Sequence, residues 1–255
     1  MGGKNELIKT PEHIETIARA GAILRGVLDR LASEAKVGVS LSALDRLAEK
    51  MIRANGGEPA FLGYKPHGAS VPYPATICAS VNDVVVHGVP TGYKLKGGDV
   101  LSIDCGVKIN GWYSDAAITV GIGTISPKAK KLIEVTRIAL DKGIAAARAG
   151  NTVGDIGNAI GTFIKVNKLF VVQGLTGHGI GTNLHEDPSI FNDGKAGTGL
   201  KLQVGMVIAI EPMVAIGTGN IIQLEDDGFA TADGSLSAHF EKTIAITSTS
   251  PRILT

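Results

Sequence analysis

A weak internal repeat constrains the fold of this chain more than any other sequence feature. Two stretches match at a constant offset of 112 positions: Leu28-Asp29 with Leu140-Asp141, Gly38 with Gly150, Ser40 with Thr152, and Asn55 with Asn167. Each stretch begins with an N-cap residue followed by proline, a typical helix start, at Thr10-Pro11 and at Ser126-Pro127. Two related halves are therefore predicted, each opening on a long amphipathic helix.

Both halves continue with the same order of elements. A second, shorter helix is predicted between Ser40 and Asn55, and its counterpart between Thr152 and Asn167. Strand-like sequence follows, in which Gly98–Asp104 aligns with Gly205–Glu211 and each stretch ends in a carboxylate. We therefore expect an α+β fold with pseudo-twofold symmetry, in which the strands form one sheet and the helices cover one face. No linker divides residues 1–255, so a single domain is expected, with residues 1–8 flexible.

Charge and hydropathy exclude several functional classes. The 25 Lys and Arg residues nearly balance the 24 Asp and Glu residues, so no nucleic-acid-binding or membrane-binding surface is expected. No run approaches the roughly 18 apolar residues of a membrane-spanning helix, and the N-terminus lacks the apolar core of a signal peptide. The two cysteines, Cys78 and Cys105, suit a reducing compartment. A cytoplasmic protein is therefore expected.

A tight turn brings two aspartates together. Asn110-Gly111 lies between alternating strand-like runs, which predicts a two-residue type I′ hairpin turn. Counting outward from this turn pairs Gly106 with Asp115 and Ala117 with Asp104. Asp104 and Asp115 then lie on one face as diagonal neighbours, about 7 to 8 Å apart at Cα.

The surroundings of these acids favour a metal site. Asp104 and Glu211 each follow an apolar run that reads as a buried strand, although most acidic residues in proteins are solvated and that interpretation stays open. Burying an unpaired carboxylate costs at least several kcal/mol, and no lysine or arginine is adjacent to either residue. A divalent cation would supply the missing positive charge.

The histidines divide into two groups. His178 lies between glycines, which allow close approach to a ligand, while His185 and His87 also lie in or beside turns. A lone histidine is more often structural, but these occur together with buried acids, which favours a functional site. His13 and His67 are interpreted as surface residues.

These motifs resemble the type I methionine aminopeptidases, whose fold is called pita bread. The matching segments are Ser80-Val-Asn-Asp-Val-Val-Val-His87-Gly-Val-Pro90, the hairpin from Asp104 to Asp115, Gly177-His178-Gly-Ile-Gly with His185-Glu-Asp-Pro188, Gly205–Pro212, and Ser237–Thr243. The resemblance spans nearly the whole chain. It implies one curved antiparallel sheet covered by helices, and removal of the N-terminal methionine from nascent proteins, preferentially before a small second residue.

The resemblance also implies a dinuclear metal centre. Its ligands would be Asp104, Asp115, His178, Glu211 and Glu241, an oxygen-rich set that suits Mn²⁺, Fe²⁺ or Co²⁺ at least as well as Zn²⁺. Two ions would activate a water, bind the substrate amine and polarise the scissile carbonyl. Glu211 would act as the proton shuttle.

Further roles follow from the same resemblance. His87 and His185 would donate hydrogen bonds to the substrate and stabilise the tetrahedral intermediate. The methionine side chain would occupy a pocket formed by Tyr73, Cys78, Leu184 and Phe229, although Cys78 is equally well explained as an inert core thiol.

The chain departs from the family pattern at several positions. Leu184 and Phe229 stand where many relatives have a larger aromatic residue, so the methionine preference is less certain than the metal site. His239 stands where glutamine is frequent and lies two residues before Glu241. We expect His239 to lie beside the metal ligands without binding metal.

The sequence leaves two alternative functions open. An Xaa-Pro peptidase normally has an additional N-terminal domain, for which a first helix starting near residue 11 leaves no room. A non-catalytic binding protein of the same fold would not need all five ligand positions filled. The partners implied are nascent polypeptide N-termini, and Lys128, Lys130 and Lys131 form a basic cluster for a hypothetical transient ribosome contact. Nothing in the sequence requires more than a monomer.

Overall fold

Four helices begin and end where the repeat predicts. The structure, a computed structural model, describes residues 7–65 and 71–255; His67 and residues 1–6 of the segment expected to be flexible lie outside this range. The helices are α1 (Pro11–Glu34), α2 (Leu41–Ala54), α3 (Pro127–Ala146) and α4 (Val153–Val166). The side chains of Thr10, Ser40, Ser126 and Thr152 cap their N-termini. Both predicted helix pairs are confirmed.

The two halves match in detail beyond their helices. Ser40 forms an isolated β-bridge with Lys94, and its counterpart Thr152 forms one with Lys201. Helices α2 and α4 each contain 14 residues and each ends at an asparagine C-cap. These equivalent contacts confirm the pseudo-twofold repeat.

Fifteen short and long strands complete the described part of the chain. In the first half they are β1 (Glu58–Pro59), β2 (Ile77–Val81), β3 (Val84–Val86), β4 (Val100–Ile109) and β5 (Trp112–Gly121). In the second half they are β6 (Phe170–Val171), β7 (Gly177–Gly179), β8 (Glu186–Ile190), β9 (Val207–Ile210), β10 (Met213–Ala215), β11 (Ile221–Gln223), β12 (Phe229–Thr231), β13 (Ser237–His239), β14 (Lys242–Ala245) and β15 (Arg252–Ile253).

Pairing between strands is antiparallel throughout the described residues. Strands β1, β4, β2 and β5 form one hydrogen-bonded group, and β15, β14, β9, β7 and β8 form a second. Two three-stranded groups, β13-β10-β6 and β11-β12-β3, complete the set. The α+β class is confirmed, and the predicted single sheet is divided into these four groups.

The groups meet where β5 runs beside residues 239–243, which we call the central junction. The amide of Glu241 donates to the carbonyl oxygen of Ala117 at 2.9 Å, and the amide of Ala117 donates back at 3.4 Å. Thr119 Oγ1 accepts from the amide of His239 at 2.9 Å and donates to its carbonyl oxygen at 2.6 Å. These bonds join the two halves of the repeat.

One detail of the strand prediction is wrong. The stretch Gly98–Asp104 does not end its strand in a carboxylate, because β4 continues to Ile109 and Asp104 lies in its middle. The aligned strand β9 does end at Ile210, directly before Glu211. The two halves differ because the Asn110-Gly111 turn lets β4 and β5 pair along their full length, so that β4 continues past Asp104 to the turn.

Each half has its own apolar core. Leu24, Leu31 and Ile52 pack with residues of β2, β4 and β5 in the first half, and Ile156, Ile160 and residues of α3 pack with β9 and β14 in the second. The helices therefore bury their apolar faces against the strands that carry the acidic residues. Within the described residues, no helix is long and apolar enough to cross a membrane.

Candidate metal centre and adjoining cavity

The β4–β5 hairpin places two aspartates side by side, as predicted. Ile109 pairs with Trp112, Gly106 with Asp115, and Asp104 with Ala117. Asn110 and Gly111 have φ angles of 50° and 84°, which suits the type I′ turn expected from this dipeptide. Asp104 and Asp115 therefore lie on the same face of the hairpin, and both line one cavity.

The second half contributes three more predicted ligands to the same place. His178 lies in β7 and is paired with Ala209 of β9, so β9 positions both His178 and the following Glu211. Glu241 lies at the central junction, directly before β14. The side-chain amide of Asn192 donates to the carbonyl oxygen of Glu211 at 2.9 Å and holds that turn in position.

The side chains of these residues converge. His178 Nε2 lies 3.6 Å from Glu211 Oε1 and 4.0 Å from Glu241 Oε1. Ligand atoms of Asp115, His178 and Glu241 lie within 4.8 Å of one another. His178 Nδ1 lies 2.8 Å from the carbonyl oxygen of Gly179, which favours a proton on Nδ1 and leaves the Nε2 lone pair directed at the acids.

The hydrogen bonding of the acidic residues is itself consistent with a bound divalent cation. Asp104 Oδ1, Asp115 Oδ1 and Glu241 Oε1 are buried and accept no hydrogen bond from the described residues. Buried polar atoms in proteins are almost always paired with a hydrogen-bond partner or an ion. These three oxygens therefore require a partner from outside the chain, and a cation would satisfy them. Carboxylate oxygens and a single imidazole are ligands that divalent metals of the first transition row accept.

Burial raises the pKa of every acid in the cluster, and neighbouring carboxylates raise it further for Asp104, Asp115 and Glu241. Burial, followed by the charge of Glu211, raises the pKa of Asp104 to about 7, and burial raises that of Glu211 to about 7. Burial and neighbouring carboxylates raise the pKa of Asp115 and of Glu241 well above the ordinary values. Four acids held so close together need positive charge to ionise fully at neutral pH.

A cavity of about 930 Å³ opens beside the acids. Its apolar wall includes Leu184, Tyr73 and Cys78, three of the four residues predicted to form the side-chain pocket, together with Phe61 and Met213. The hydroxyl of Tyr73 lies 3.0 Å from the carbonyl oxygens of both Ile77 and Gly88 and shares its single proton between them, which holds its ring in place. Burial raises the pKa of Cys78 well above its usual range, so this thiol stays protonated.

Phe229, the fourth predicted pocket residue, is placed differently. Its ring lies against the ring of His87, with centroids 5.9 Å apart, and it is not among the described residues that line the cavity. Leu184 contacts the cavity directly and is buried. Leu184 and Phe229 are the two pocket positions that depart from the family pattern. Leu184 therefore lines the pocket directly, whereas Phe229 contacts His87, which lines it.

His87 and His185 both face the cavity. Loss of hydration lowers the pKa of each ring, to about 3 for His185, where the neighbouring His178 adds to the effect. Both rings are therefore neutral at physiological pH, when each carries one N–H and one lone pair. Of the histidines expected at the surface, His13 is half-buried, and its ring stacks on Trp112 with centroids 4.1 Å apart.

One residue beside the site is not predicted by any sequence motif. The hydroxyl of Tyr64 lies 2.9 Å from His185 Nδ1, and Tyr64 lines the cavity. Tyr64 belongs to an irregular loop between α2 and β2, where no periodic pattern or tight turn signals its position. Only its distance from His185 in the folded chain reveals it.

The comparisons with known proteins agree with this architecture. Residues 15–248 match the profile of metallopeptidase family M24. A curated methionine aminopeptidase from Clostridium perfringens is 45% identical over 98% of both chains. The crystal structure of a methionine aminopeptidase from Rickettsia prowazekii superimposes with a TM-score of 0.92 at 38% identity, covering 97% of this chain and 98% of that one.

A more distant structure shows the fold alone. A prolidase from Pyrococcus furiosus superimposes with a TM-score of 0.77 at 24% identity, over 97% of this chain but only 65% of the prolidase. The resemblance stated from the sequence motifs, and the pita-bread fold that it implied, are confirmed by these matches. The chain belongs to metallopeptidase family M24.

Proposed function

We propose that this protein is a metal-dependent aminopeptidase that removes the N-terminal methionine from peptides and nascent proteins, preferentially when the second residue is small. The observation that carries the proposal is a cluster of four carboxylates, two buried and two half-buried, and one histidine that opens onto a cavity with an apolar wall. Full-length relatives named methionine aminopeptidase support the substrate.

The acids and His178 would hold the metal. We assign Asp104, Asp115, His178, Glu211 and Glu241 as ligands of two divalent ions, of which Mn²⁺, Fe²⁺, Co²⁺ and Zn²⁺ are the candidates. When bound, such ions supply an activated water and polarise the scissile carbonyl. Membership of metallopeptidase family M24 supports the binding of divalent metal. The proposal of two ions is based on the number of carboxylates in the cluster.

Glu211 is assigned as the residue that moves the proton. Its carboxylate is half-buried at the cavity, and burial raises its pKa to about 7. A carboxylate that lines the cavity beside the reacting bond can act as a general acid–base group, because it can accept a proton and then return it. In this role a carboxylate oxygen of Glu211 takes a proton from the attacking water and delivers it to the leaving amine.

His87 and His185 are assigned to the substrate. A neutral imidazole that accepts from Tyr64 at Nδ1 carries its proton on Nε2, so His185 can donate from Nε2 into the cavity. His87, held by a left-handed backbone with φ of 61°, faces the same cavity. These donors would stabilise negative charge on the carbonyl oxygen as it develops.

The side-chain pocket is assigned to Tyr73, Cys78 and Leu184, with Phe229 supporting it from behind His87. An apolar pocket discriminates by shape, and each misplaced methylene costs about 1 to 3 kcal/mol. An unbranched, flexible methionine side chain fits such a wall. Leucine, which is branched at Cγ, fits less well.

One assay tests this proposal. Metal-stripped protein is reconstituted with Mn²⁺ or Co²⁺ and incubated with Met-Gly-Met-Met, Leu-Gly-Met-Met and Gly-Pro peptides. We expect release of methionine alone, abolished by Glu211→Ala and retained by Glu134→Ala, a control at an exposed glutamate of α3. Release of leucine would disprove the pocket assignment, release before proline would indicate an Xaa-Pro peptidase, and inactivity with every metal would favour a binding protein.

A cytoplasmic location and a transient contact with the ribosome are part of the proposal. The free thiols of Cys78 and Cys105 suit a reducing compartment, and nascent chains are exposed there. Lys128 and Lys130 are exposed in the first turn of α3, while Lys131 donates to the carbonyl oxygen of Asn167 at 2.8 Å. Replacing Lys128, Lys130 and Lys131 with alanine should reduce co-sedimentation with ribosomes, and an unchanged signal would disprove the contact.

A further inference from the structure

His239 occupies a fixed position at the central junction. It is the last residue of β13, and its side chain is only 2% exposed. Its backbone amide and carbonyl are both bonded to Thr119 Oγ1. The backbone therefore cannot swing away, and the imidazole is directed at the cluster of acids.

The contact between His239 and Glu211 does not have the geometry of a hydrogen bond. His239 Nε2 lies 3.3 Å from Glu211 Oε2, yet among the described residues this nitrogen has no hydrogen-bond partner. Two atoms bound to one ion at about 2.0 to 2.2 Å lie roughly 3.0 to 3.4 Å apart. The observed separation of 3.3 Å falls within the range for two ligands of one ion.

Glu241 completes this group. Ligand atoms of Glu211, His239 and Glu241 all lie within 4.8 Å of one another. The same is true of the group that contains His178, Asp115 and Glu241. The cluster thus contains two groups of possible ligands that share Glu241, and each group includes one imidazole.

Glu211 lies between the two imidazoles. Its Oε1 is the oxygen nearest His178 Nε2, at 3.6 Å, and its Oε2 is the oxygen nearest His239 Nε2, at 3.3 Å. The two imidazoles therefore approach Glu211 from different sides, and each lies close to a different carboxylate oxygen.

We propose that His239 binds metal through Nε2, as a sixth ligand beside Glu211 and Glu241. This inference rests on the proposed function, because it takes those two acids as ligands. It revises the expectation that His239 lies beside the ligands without binding metal. A second imidazole makes the centre richer in nitrogen, which shifts its preference from Mn²⁺ towards Co²⁺ and Zn²⁺.

The experiment counts coordinated imidazoles. Metal-free wild-type protein, His239→Gln and the control His13→Gln are titrated with Co²⁺ by calorimetry, and proton NMR spectra of the Co²⁺-loaded proteins are recorded. The wild type and His13→Gln should show shifted ring-proton signals from two imidazoles. His239→Gln should lose one set of these signals. Of the two Co²⁺ ions, the more weakly bound one should bind at least tenfold less tightly to this variant than to the wild type.

The outcomes separate this inference from the proposed function. If all three proteins bind Co²⁺ equally and show one imidazole each, His239 is not a ligand and the other assignments stand. If the wild type binds no Co²⁺, the metal mechanism itself fails. His239→Asn provides a second variant if His239→Gln does not fold, as judged by circular dichroism, and the expected loss of one signal set is the same.

Discussion

Thr243 and Asp115 exchange two hydrogen bonds across the central junction. The backbone amide of Asp115 donates to Thr243 Oγ1 at 3.0 Å, and that hydroxyl donates to the carbonyl oxygen of Asp115 at 2.8 Å. Both residues are buried. A single side chain of the second half thus sets the position of a carboxylate of the first half.

Thr243→Val should weaken both folding and metal binding. Valine has the shape of threonine but leaves the amide and carbonyl of Asp115 without partners, which costs about 1 to 3 kcal/mol of unfolding free energy. Loss of groups that orient a ligand typically lowers metal affinity about 10- to 100-fold. Urea unfolding and Co²⁺ titration measure the two effects. Thr249→Val, at an exposed threonine, is the control, and equal behaviour of the two variants would contradict the prediction.

Tyr64→Phe should slow peptide hydrolysis without destabilising the protein. The variant removes the hydroxyl 2.9 Å from His185 Nδ1, so the Nε2–H tautomer loses its partner. One neutral hydrogen bond is worth about 1 kcal/mol, which corresponds to a fall in kcat of roughly fivefold.

The control for this change is Tyr93→Phe. This variant also removes a tyrosine hydroxyl, but one that donates to Asp99 and not to His185. In the background of His185→Ala, Tyr64→Phe should have no further effect on kcat. Additive losses in that double variant would show that Tyr64 acts independently of His185.

Lys9→Met should destabilise the protein more than a surface charge change does. Lys9 Nζ lies 2.6 Å from Glu186 Oε2, and the two side chains are only 5% and 13% exposed. Without Lys9, Glu186 loses its counter-charge but keeps hydrogen bonds from the amide of Asn183 and the hydroxyl of Thr182, so we expect a cost of about 2 to 3 kcal/mol. Thermal unfolding should therefore shift well below that of the wild type.

A matched comparison uses the exposed pair Lys165–Asp193, with side chains 61% and 40% exposed. Lys165→Met should cost under about 1 kcal/mol. The double variant Lys9→Met with Glu186→Gln should recover part of the stability lost in Lys9→Met alone. If the double variant is no more stable, the ion pair is not the source of the effect.

The metal-free protein should lose stability as the pH rises towards neutrality. Burial raises the pKa of Asp104 from 3.8 to about 7. Below about pH 4 the carboxyl is protonated in both states and its contribution to stability is fully present. Between about pH 4 and 7 the unfolded chain releases the proton and the folded protein retains it, so each rise in pH favours unfolding.

Urea unfolding in the presence of a chelator measures this dependence. A tenfold change in proton affinity corresponds to about 1.4 kcal/mol, so the loss contributed by Asp104 amounts to a few kcal/mol. Asp104→Asn cannot ionise and should show a smaller loss over the same range. Saturating Co²⁺ should also remove the dependence, and an unchanged slope in Asp104→Asn would contradict the assignment.

Local chemistry made part of this fold predictable. The Asn110-Gly111 turn needs two positive φ angles, which fixes the register of β4 and β5 and hence the neighbouring positions of Asp104 and Asp115. The helix starts were equally predictable, because a capping hydroxyl acts within one turn of the chain.

Placement that depends on distant pairing could not be predicted in the same way. Phe229 lies behind His87 because β12 pairs with β3 through an irregular register between Phe229 and Ala230. The proximity of His239 to Glu211 depends on the pairing of β13 with β10, in which His239 lies opposite Met213, two residues after Glu211. No local pattern encodes this pairing. The approach of Tyr64 to His185 is likewise a product of the folded chain.

The junction between the halves has a consequence for synthesis of the chain. Asp104 and Asp115 emerge from the ribosome with the first half, while His178, Glu211 and Glu241 emerge later in the second. With the proposed ligands, the donor set is complete only after Glu241 has been made and has paired with Ala117. Metal uptake would then report that both halves have folded and joined.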